Sequence, residues 1–248
     1  MDNLFYDIRW TNDLDERFIQ DFLYVQNEVF KCGTREEFKR QFENNIYGKS
    51  IIVVVYRGEN PIAARVIWRN DIEGQEAYQP GCTSVLPICR GKGVFKEMTL
   101  RALAYLPSNA IIYNYPNDNS FQGYVKLGWN CLKEYRARLF LSYKTYKIEH
   151  NHIIDAEYAN WWLKDRDLYY KKMKGHYFLL QKDRRLLCYH ILGEVSSEVA
   201  KNYSRIHLGV IFYKSTKITW YNKHLGVCRV VAKNHVAIDV PNWKIDAI

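Results

Sequence analysis

The sequence predicts a mixed α/β fold, and three observations carry that reading. Strand-patterned and helix-patterned segments both recur along the chain. Over residues 1–146 their order is strand, two helices, three strands, helix, strand, helix, strand, which is not a repeated parallel crossover. A chain of 248 residues, 48% hydrophobic and 25% charged, can bury a sizeable core as one large domain or two small ones.

Residues 5–10 alternate and read as the first strand. Thr11, Asn12 and Asp13 offer capping side chains to a helix whose apolar residues Leu14, Phe18, Phe22, Val25 and Val29 recur at helical spacing. Thr34 with Glu37 is a capping box that opens a second helix through about Tyr47. Ile51-Ile52-Val53-Val54-Val55-Tyr56 is a β-branched run, 57–61 turn it, and 62–68 pair back as a hairpin. A third strand ends in Thr83-Ser84-Val85-Leu86 and runs into a glycine-containing loop, then a helix over about 94–105. Residues 110–115 form the next strand. Pro116-Asn117-Asp118-Asn119-Ser120 opens a short helix that stops at Gly128, and 131–146 hold one or two further strands.

Residues 149–155 are polar and aperiodic, and mark a boundary between a first domain, 1–148, and a C-terminal α+β lobe, 149–248. In the lobe 156–172 read as a helix, 177–181 and 186–192 as a hairpin, 196–203 as a helix capped by Ser196 or Ser197, and 210–213 and 226–231 as strands.

Charge is uneven. Residues 1–150 carry 20 Lys and Arg against 18 Asp and Glu, a net of +2; residues 151–248 carry 16 against 9, a net of +7. A basic surface favours anionic partners, but most such side chains are simply solvated. Cys32, Cys82, Cys89, Cys131, Cys188 and Cys228 form no C-x-x-C pair, and the start of the chain lacks a secretory signal. The expectation is a cytoplasmic protein with reduced thiols and no transmembrane segment.

The segment that carries chemistry is Val85-Leu86-Pro87-Ile88-Cys89-Arg90-Gly91-Lys92-Gly93-Val94-Phe95. A strand delivers the chain to a turn with two glycines, and a helix follows at once. Glycine lets the backbone approach a ligand and adopt positive φ. The unpaired N–H groups and dipole of the helix start favour an anion, and Arg90 and Lys92 add positive charge. The combination suits a pyrophosphate. No G-x-x-x-x-G-K-[ST] is present, so this is not a nucleotide-triphosphate P-loop. No full G-x-G-x-x-G with an acidic residue downstream supports a dinucleotide site.

This stretch resembles the cofactor loop of the GCN5-related N-acetyltransferase (GNAT) superfamily, Q/R-x-x-G-x-G/A. Asn117, then Tyr124 seven residues later, then Gly128-Trp129, is similar to the family's second signature. The resemblance covers about residues 1–146. It implies the GNAT fold, a mostly antiparallel sheet flanked by helices with two central strands splayed apart, and a partial GNAT-like lobe after it. Phe95 departs from the pattern, standing where a small residue is usual. That aromatic and the Pro116–Ser120 segment are similar to sugar- and polysaccharide-associated branches.

The resemblance implies an acetyl-CoA-dependent N-acetyltransferase acting on a primary amine, with a nucleotide- or lipid-linked amino sugar in surface polysaccharide synthesis as one acceptor. Arg90, Gly91, Lys92, Gly93, Val94 and Phe95 would hold the pyrophosphate, and a backbone N–H near Val85 or Leu86 would hold the thioester oxygen. Asn117 would bond the pantetheine, with a helix cap as its plain alternative. Tyr124 would be the general acid that protonates the departing sulfur, with a core-edge tyrosine as its alternative in a chain holding 20 tyrosines. The general base stays open among Glu76, Asp118, His176 and a water chain. If the lobe packs on the first domain, their crevice is the expected acceptor site, its +7 charge suiting an anionic acceptor.

Other features read more plainly. Glu149-His150-Asn151-His152 has no second ligand pair, so no metal site is expected. Trp161-Trp162 reads as helix core before it reads as a sugar platform. An O-acyl or longer-chain acyltransferase, a non-catalytic CoA-binding module, and a nucleic-acid-binding protein are the competing readings; the last lacks any ordered basic-aromatic motif. A homodimer stays open.

Overall fold

The computed structural model describes residues 4–141, 153–163, 166–182, 188–207, 209–215 and 227–234. They divide into two compact units. The first holds the described residues up to Asn114, 118–130 and 231–234; the second holds 115–117 and the described residues of 131–230.

The first unit is a sheet covered on both faces. β1 (Leu4–Trp10), β2 (Ile51–Arg57), β3 (Asn60–Arg69) and β4 (Ala77–Val85) follow one another antiparallel. α1 (Glu16–Phe30) sits between β1 and β2 in sequence. Its cap is Asp15, whose carboxylate accepts from the Phe18 N–H, two residues beyond the expected cap cluster. Phe18, Phe22 and Val25 form its buried stripe, as their spacing requires. The capping box of Thr34 and Glu37 is present and opens α2 (Arg35–Phe38), which continues as a π turn over Lys39–Glu43 and stops short of Tyr47.

β2 is buried along Ile51–Val55, which demands cover on both sides. Ile51, Val53 and Val55 pack with Val94, Met98 and Ala102 of α3 (Val94–Leu103), while α1 lies on β3, β4 and β2. Alternation puts Ala63, Arg65 and Ile67 of β3 on the α3 face. β5 (Ile111–Asn114) follows α3, and α4 (Asp118–Lys126) follows β5. Beyond β5 the sheet gains Val231 and Ala232, paired antiparallel with Asn114 and Tyr113.

The second unit contains β6 (Asn130–Leu141) from Cys131 on, β7 (Ile153–Ile154), α5 (Ala156–Trp162), β8 (Leu168–Met173), β9 (His176–Lys182), β10 (Cys188–Val195), α6 (Ser197–Ala200), β11 (Ser204–Arg205) and β12 (Val210–Ser215). β13 (Val227–Ala232) closes the described chain. Strands run β6-β12-β10-β9-β8-β11, with β7 beside β10. One expectation is corrected here. The helix expected over 156–172 ends at Trp162, and Leu168–Met173 is a strand, paired with β9 across a Lys174-Gly175 turn with φ of 50° and 89°. Two positive-φ residues make the tight hairpin turn that matches strand twist, and this local device overrides the helical spacing upstream. The β9–β10 hairpin, the Ser196 cap of α6, and β12 stand as expected. Glu149–His152 lies outside the described residues.

Candidate active site

The site grows from the end of β4. β4 and β5 are the parallel pair of this sheet, and they pair only at Ala77 with Ile111 and Tyr78 with Ile112. Past that point β4 runs on from Gln79 to Val85 without a β5 partner, while Tyr113 and Asn114 turn to Ala232 and Val231 on their other edge. The two strands therefore diverge toward their C-terminal ends. A bulge between Ala64 and Val66 opposite Gly81–Ser84, with Cys82 at φ 46°, adds to the bend of β4.

The register decides which amide faces the gap. The Leu86 N–H donates to the Ile62 carbonyl at 2.9 Å, so it is engaged with β3. Antiparallel bonding alternates from residue to residue, so Val85 presents its N–H and C=O to the opposite edge. Of the two amides the sequence offered, Leu86 is ruled out and Val85 faces the divergence.

Pro87–Cys89 makes a 3-10 turn, and Arg90 folds its Nε back onto the Val85 carbonyl at 3.0 Å, tying the turn to the strand end. Gly91 and Gly93 follow at φ 74° and 79°, the left-handed region, with open space where a Cβ would stand. They are glycines because of backbone conformation and access, not because of crowding. Gly93 is the N-cap of α3 and supplies no side chain to it. The first N–H groups of the helix thus have no side-chain cap, and they lie beside exposed Arg90 and Lys92. Val94 is buried in the core between α3 and the sheet.

Phe95 does not narrow this turn. Its ring packs inward on α4: a Cβ on Gly123 would stand 2.9 Å from the Phe95 Cε1, and the ring meets that of Tyr124 edge-on at 5.6 Å. Gly123 is small so that Phe95 can be large.

Tyr124, 2% exposed, is the centre of a buried polar cluster drawn from four elements. Arg65 of β3 donates through Nη2 to the Tyr124 hydroxyl and through Nη1 to Thr99 of α3. Asn114 of β5 donates to the same tyrosine oxygen at 2.7 Å. Thr99 in turn donates to the Phe95 carbonyl at 2.6 Å. The Arg65 guanidinium lies 5.0 Å from the Phe95 ring centre and 5.6 Å from that of Tyr124. Burial pushes the Tyr124 phenol above its ordinary range, while Arg65 and Asn114 pull the other way. Burial likewise works against the charge of Arg65, which Tyr124 partly offsets. Arg65, Thr99 and Asn114 were not singled out in the sequence, because their positions 65, 99 and 114 share no local pattern.

The remaining expected residues fall elsewhere. Asn117 immediately precedes α4 and is exposed. Glu76 accepts from the Tyr78 hydroxyl at 2.7 Å, and Asp118 is exposed in the first turn of α4. His176 belongs to the second unit, 2.6 Å from Glu194. No base is assigned among the described residues. Trp161 and Trp162 are buried in α5.

No family model matches the chain, and no curated protein matches it. Solved structures do. A GCN5-related N-acetyltransferase from Kribbella flavida aligns at 15% identity and TM-score 0.55, over 92% of this chain and 71% of its own. A conserved protein from Enterococcus faecalis V583, described as a probable N-acyltransferase, aligns at 12% identity and TM-score 0.54 over 93% and 72%. A GCN5-related N-acetyltransferase from Anabaena variabilis aligns at 14% identity and TM-score 0.50 over 91% and 72%. The chain therefore has the fold of the GCN5-related N-acetyltransferases. Each alignment takes in residues of both compact units. Among the described residues no helix is long and apolar enough to cross a membrane.

Proposed function

We propose that this chain is an acetyl-CoA-dependent N-acetyltransferase whose acceptor is a primary amine. The observation that carries the reading is the divergence of β4 and β5 beside the Gly91/Gly93 turn, with the Val85 amide on the open edge. These residues fit the cofactor by their chemistry. The uncapped amides at the start of α3, with Arg90 and Lys92, suit a pyrophosphate, and the stretch of β4 beyond its pairing with β5 suits the amide groups of a pantetheine arm. Bound acetyl-CoA supplies an activated acyl group as a thioester.

The chain's own residues then have three tasks. Val85 N–H stabilises the oxyanion, a role often worth about 3 kcal/mol. Tyr124, kept neutral by burial, gives its proton to the departing sulfur. Asn117, at the entry to α4, holds the cofactor's amide arm. The base stays open among Glu76, Asp118, His176 and a water chain, any of which can take the amine's proton. An amino sugar in surface polysaccharide synthesis is the acceptor we favour, and the surplus of Lys and Arg in residues 151–248 supports an anionic one. The inward ring of Phe95 argues against the reading in which that residue spoils the turn.

Thiol release from acetyl-CoA against a panel of amines, amino sugars and their nucleotide-linked forms tests this. Turnover on at least one amine is expected. Cofactor binding without turnover on any amine points instead to a CoA-binding module.

A further inference from the structure

We propose that Arg65 is a positioning residue for the acid step: it aims the Tyr124 O–H and steadies the phenolate that proton transfer leaves behind. This rests on the acetyltransferase reading above, and it concerns a residue that neither signature of the resemblance contains.

The first ground is the cost of the arrangement. Arg65 is fully buried, and its hydrogen-bond acceptors are two hydroxyls, those of Thr99 and Tyr124, with no carboxylate among them. Its Nε, and the Asn114 Oδ1 across the same tyrosine, have no hydrogen-bond partner among the described residues. A buried cation without a counter-ion is costly, and an apolar side chain of similar volume would bridge β3, α3 and α4 at lower cost. A purely structural tie does not call for a guanidinium here. A site that develops negative charge during a reaction does.

The second ground is geometry. A phenol oxygen has two acceptor directions and one O–H. Arg65 Nη2 and Asn114 Nδ2 both donate to the oxygen of Tyr124. With these two donors on its oxygen, Tyr124 keeps its own O–H for an acceptor other than Arg65 or Asn114. The phenol is preoriented as a donor, with no rotation to freeze at the moment of transfer.

The third ground is charge balance. When the tetrahedral intermediate collapses, the C–S bond breaks and its electron pair goes to sulfur. Sulfur takes the Tyr124 proton, and a phenolate is left against Arg65. Solvent returns a proton to Tyr124, equal to the one the amine has released. Among the residues packed on Tyr124, β3 brings Arg65, α3 brings Phe95 and Thr99, β5 brings Ile112 and Asn114, and Trp129 and Val231 complete the shell. Arg65 is the charged group among these. Lys233 is held on the Leu127 carbonyl at 2.6 Å, at the far end of α4.

The experiment places a ring-fluorinated tyrosine at position 124 of the full chain and follows its ionisation by fluorine NMR, without ligand, in wild type and in Arg65→Met. Removing an adjacent cation should raise the titration midpoint by roughly one to three pH units. In parallel, kcat should fall about tenfold or more while KM for acetyl-CoA moves within about twofold, with the alkaline limb of kcat shifting to higher pH. An unmoved or lowered midpoint overturns the proposal. Should Arg65→Met not fold, Thr99→Val decides: it frees the other arm of the guanidinium and should raise the same midpoint by less, and no rise overturns the proposal. If Tyr124→Phe slows turnover but Arg65→Met changes neither midpoint nor kcat, this inference alone fails. If Tyr124→Phe has no effect on turnover, or no acetyl transfer exists, the acetyltransferase reading fails and takes the inference with it.

Discussion

Two groups of cations flank the first two turns of α3, and they live under opposite conditions. Arg90 and Lys92 stand exposed on the glycine turn, where water solvates them whether or not a ligand is bound. Arg65 is sealed beneath Phe95 and Thr99, where its charge is felt at full strength and cannot be screened by salt. On the function proposed above, the exposed pair acts on binding and the buried cation on chemistry. Any one surface charge is cheap to lose. Removing the buried one disturbs β3, α3 and α4 together.

The largest break in this comparison comes from the buried side. Tyr124→Phe keeps the packing with Phe95 and Trp129 but removes the hydroxyl, and should lower kcat about 10²-fold with acetyl-CoA affinity nearly unchanged. Steady-state kinetics beside calorimetric affinity checks the split; equal loss in both would place Tyr124 in binding. On the exposed side, Gly93→Val puts a β-branched residue at φ 79° and a side chain over the helix start. Strain of about 1–2 kcal/mol and the blocked amides should weaken acetyl-CoA binding about tenfold or more. A variant that binds as wild type would move the pyrophosphate away from this turn.

Between the two lies Gly123. An alanine there brings a Cβ to 2.9 Å from the Phe95 ring, so Gly123→Ala should destabilise the chain by about 1–3 kcal/mol, read as a lower Tm. Full stability would mean that Phe95 is free to swing toward the turn.

Half-buried Tyr56 and buried Tyr78 and Tyr124 all have phenols raised above their ordinary range, each chiefly by burial. A raised folded-state value means stability that is complete below the unfolded-tyrosine value of about 10 and lost as pH climbs through the folded values. Tm should therefore be level across neutral pH and fall above about pH 10. A Tm already falling between neutral pH and about 9 would contradict that burial. The smallest effect belongs to Lys92→Ala. It should weaken acetyl-CoA binding about two- to threefold at low salt, and the difference should vanish near 1 M salt, where the Debye length is about 3 Å.

How much of this could be read from residues alone follows from distance along the chain. The glycine turn was legible because strand, turn and helix start occupy eleven consecutive residues, 85–95, and each constraint on the backbone is local. The order of strands and helices along the first unit was likewise carried by β-branched runs, helical spacing and one hairpin turn. Arg65 was not legible. It is one charged residue in the otherwise apolar run from Pro61 to Trp68 of β3, and its partners lie 34 and 59 positions away. Neither could the sequence choose between Val85 and Leu86, since that choice is a matter of register with Ile62. The helix expected to run through Leu168–Met173 failed for the converse reason: helical spacing persisted locally while pairing with β9 and a two-residue turn decided the outcome.

One measurement bears on the whole account most directly: calorimetric titration of acetyl-CoA into the folded full chain, repeated with free CoA and with Gly93→Val. Saturable one-site binding of both ligands, weakened by the substitution, is the predicted result. A well-folded chain that binds neither, or a Gly93→Val variant that binds both as tightly as wild type, would contradict it.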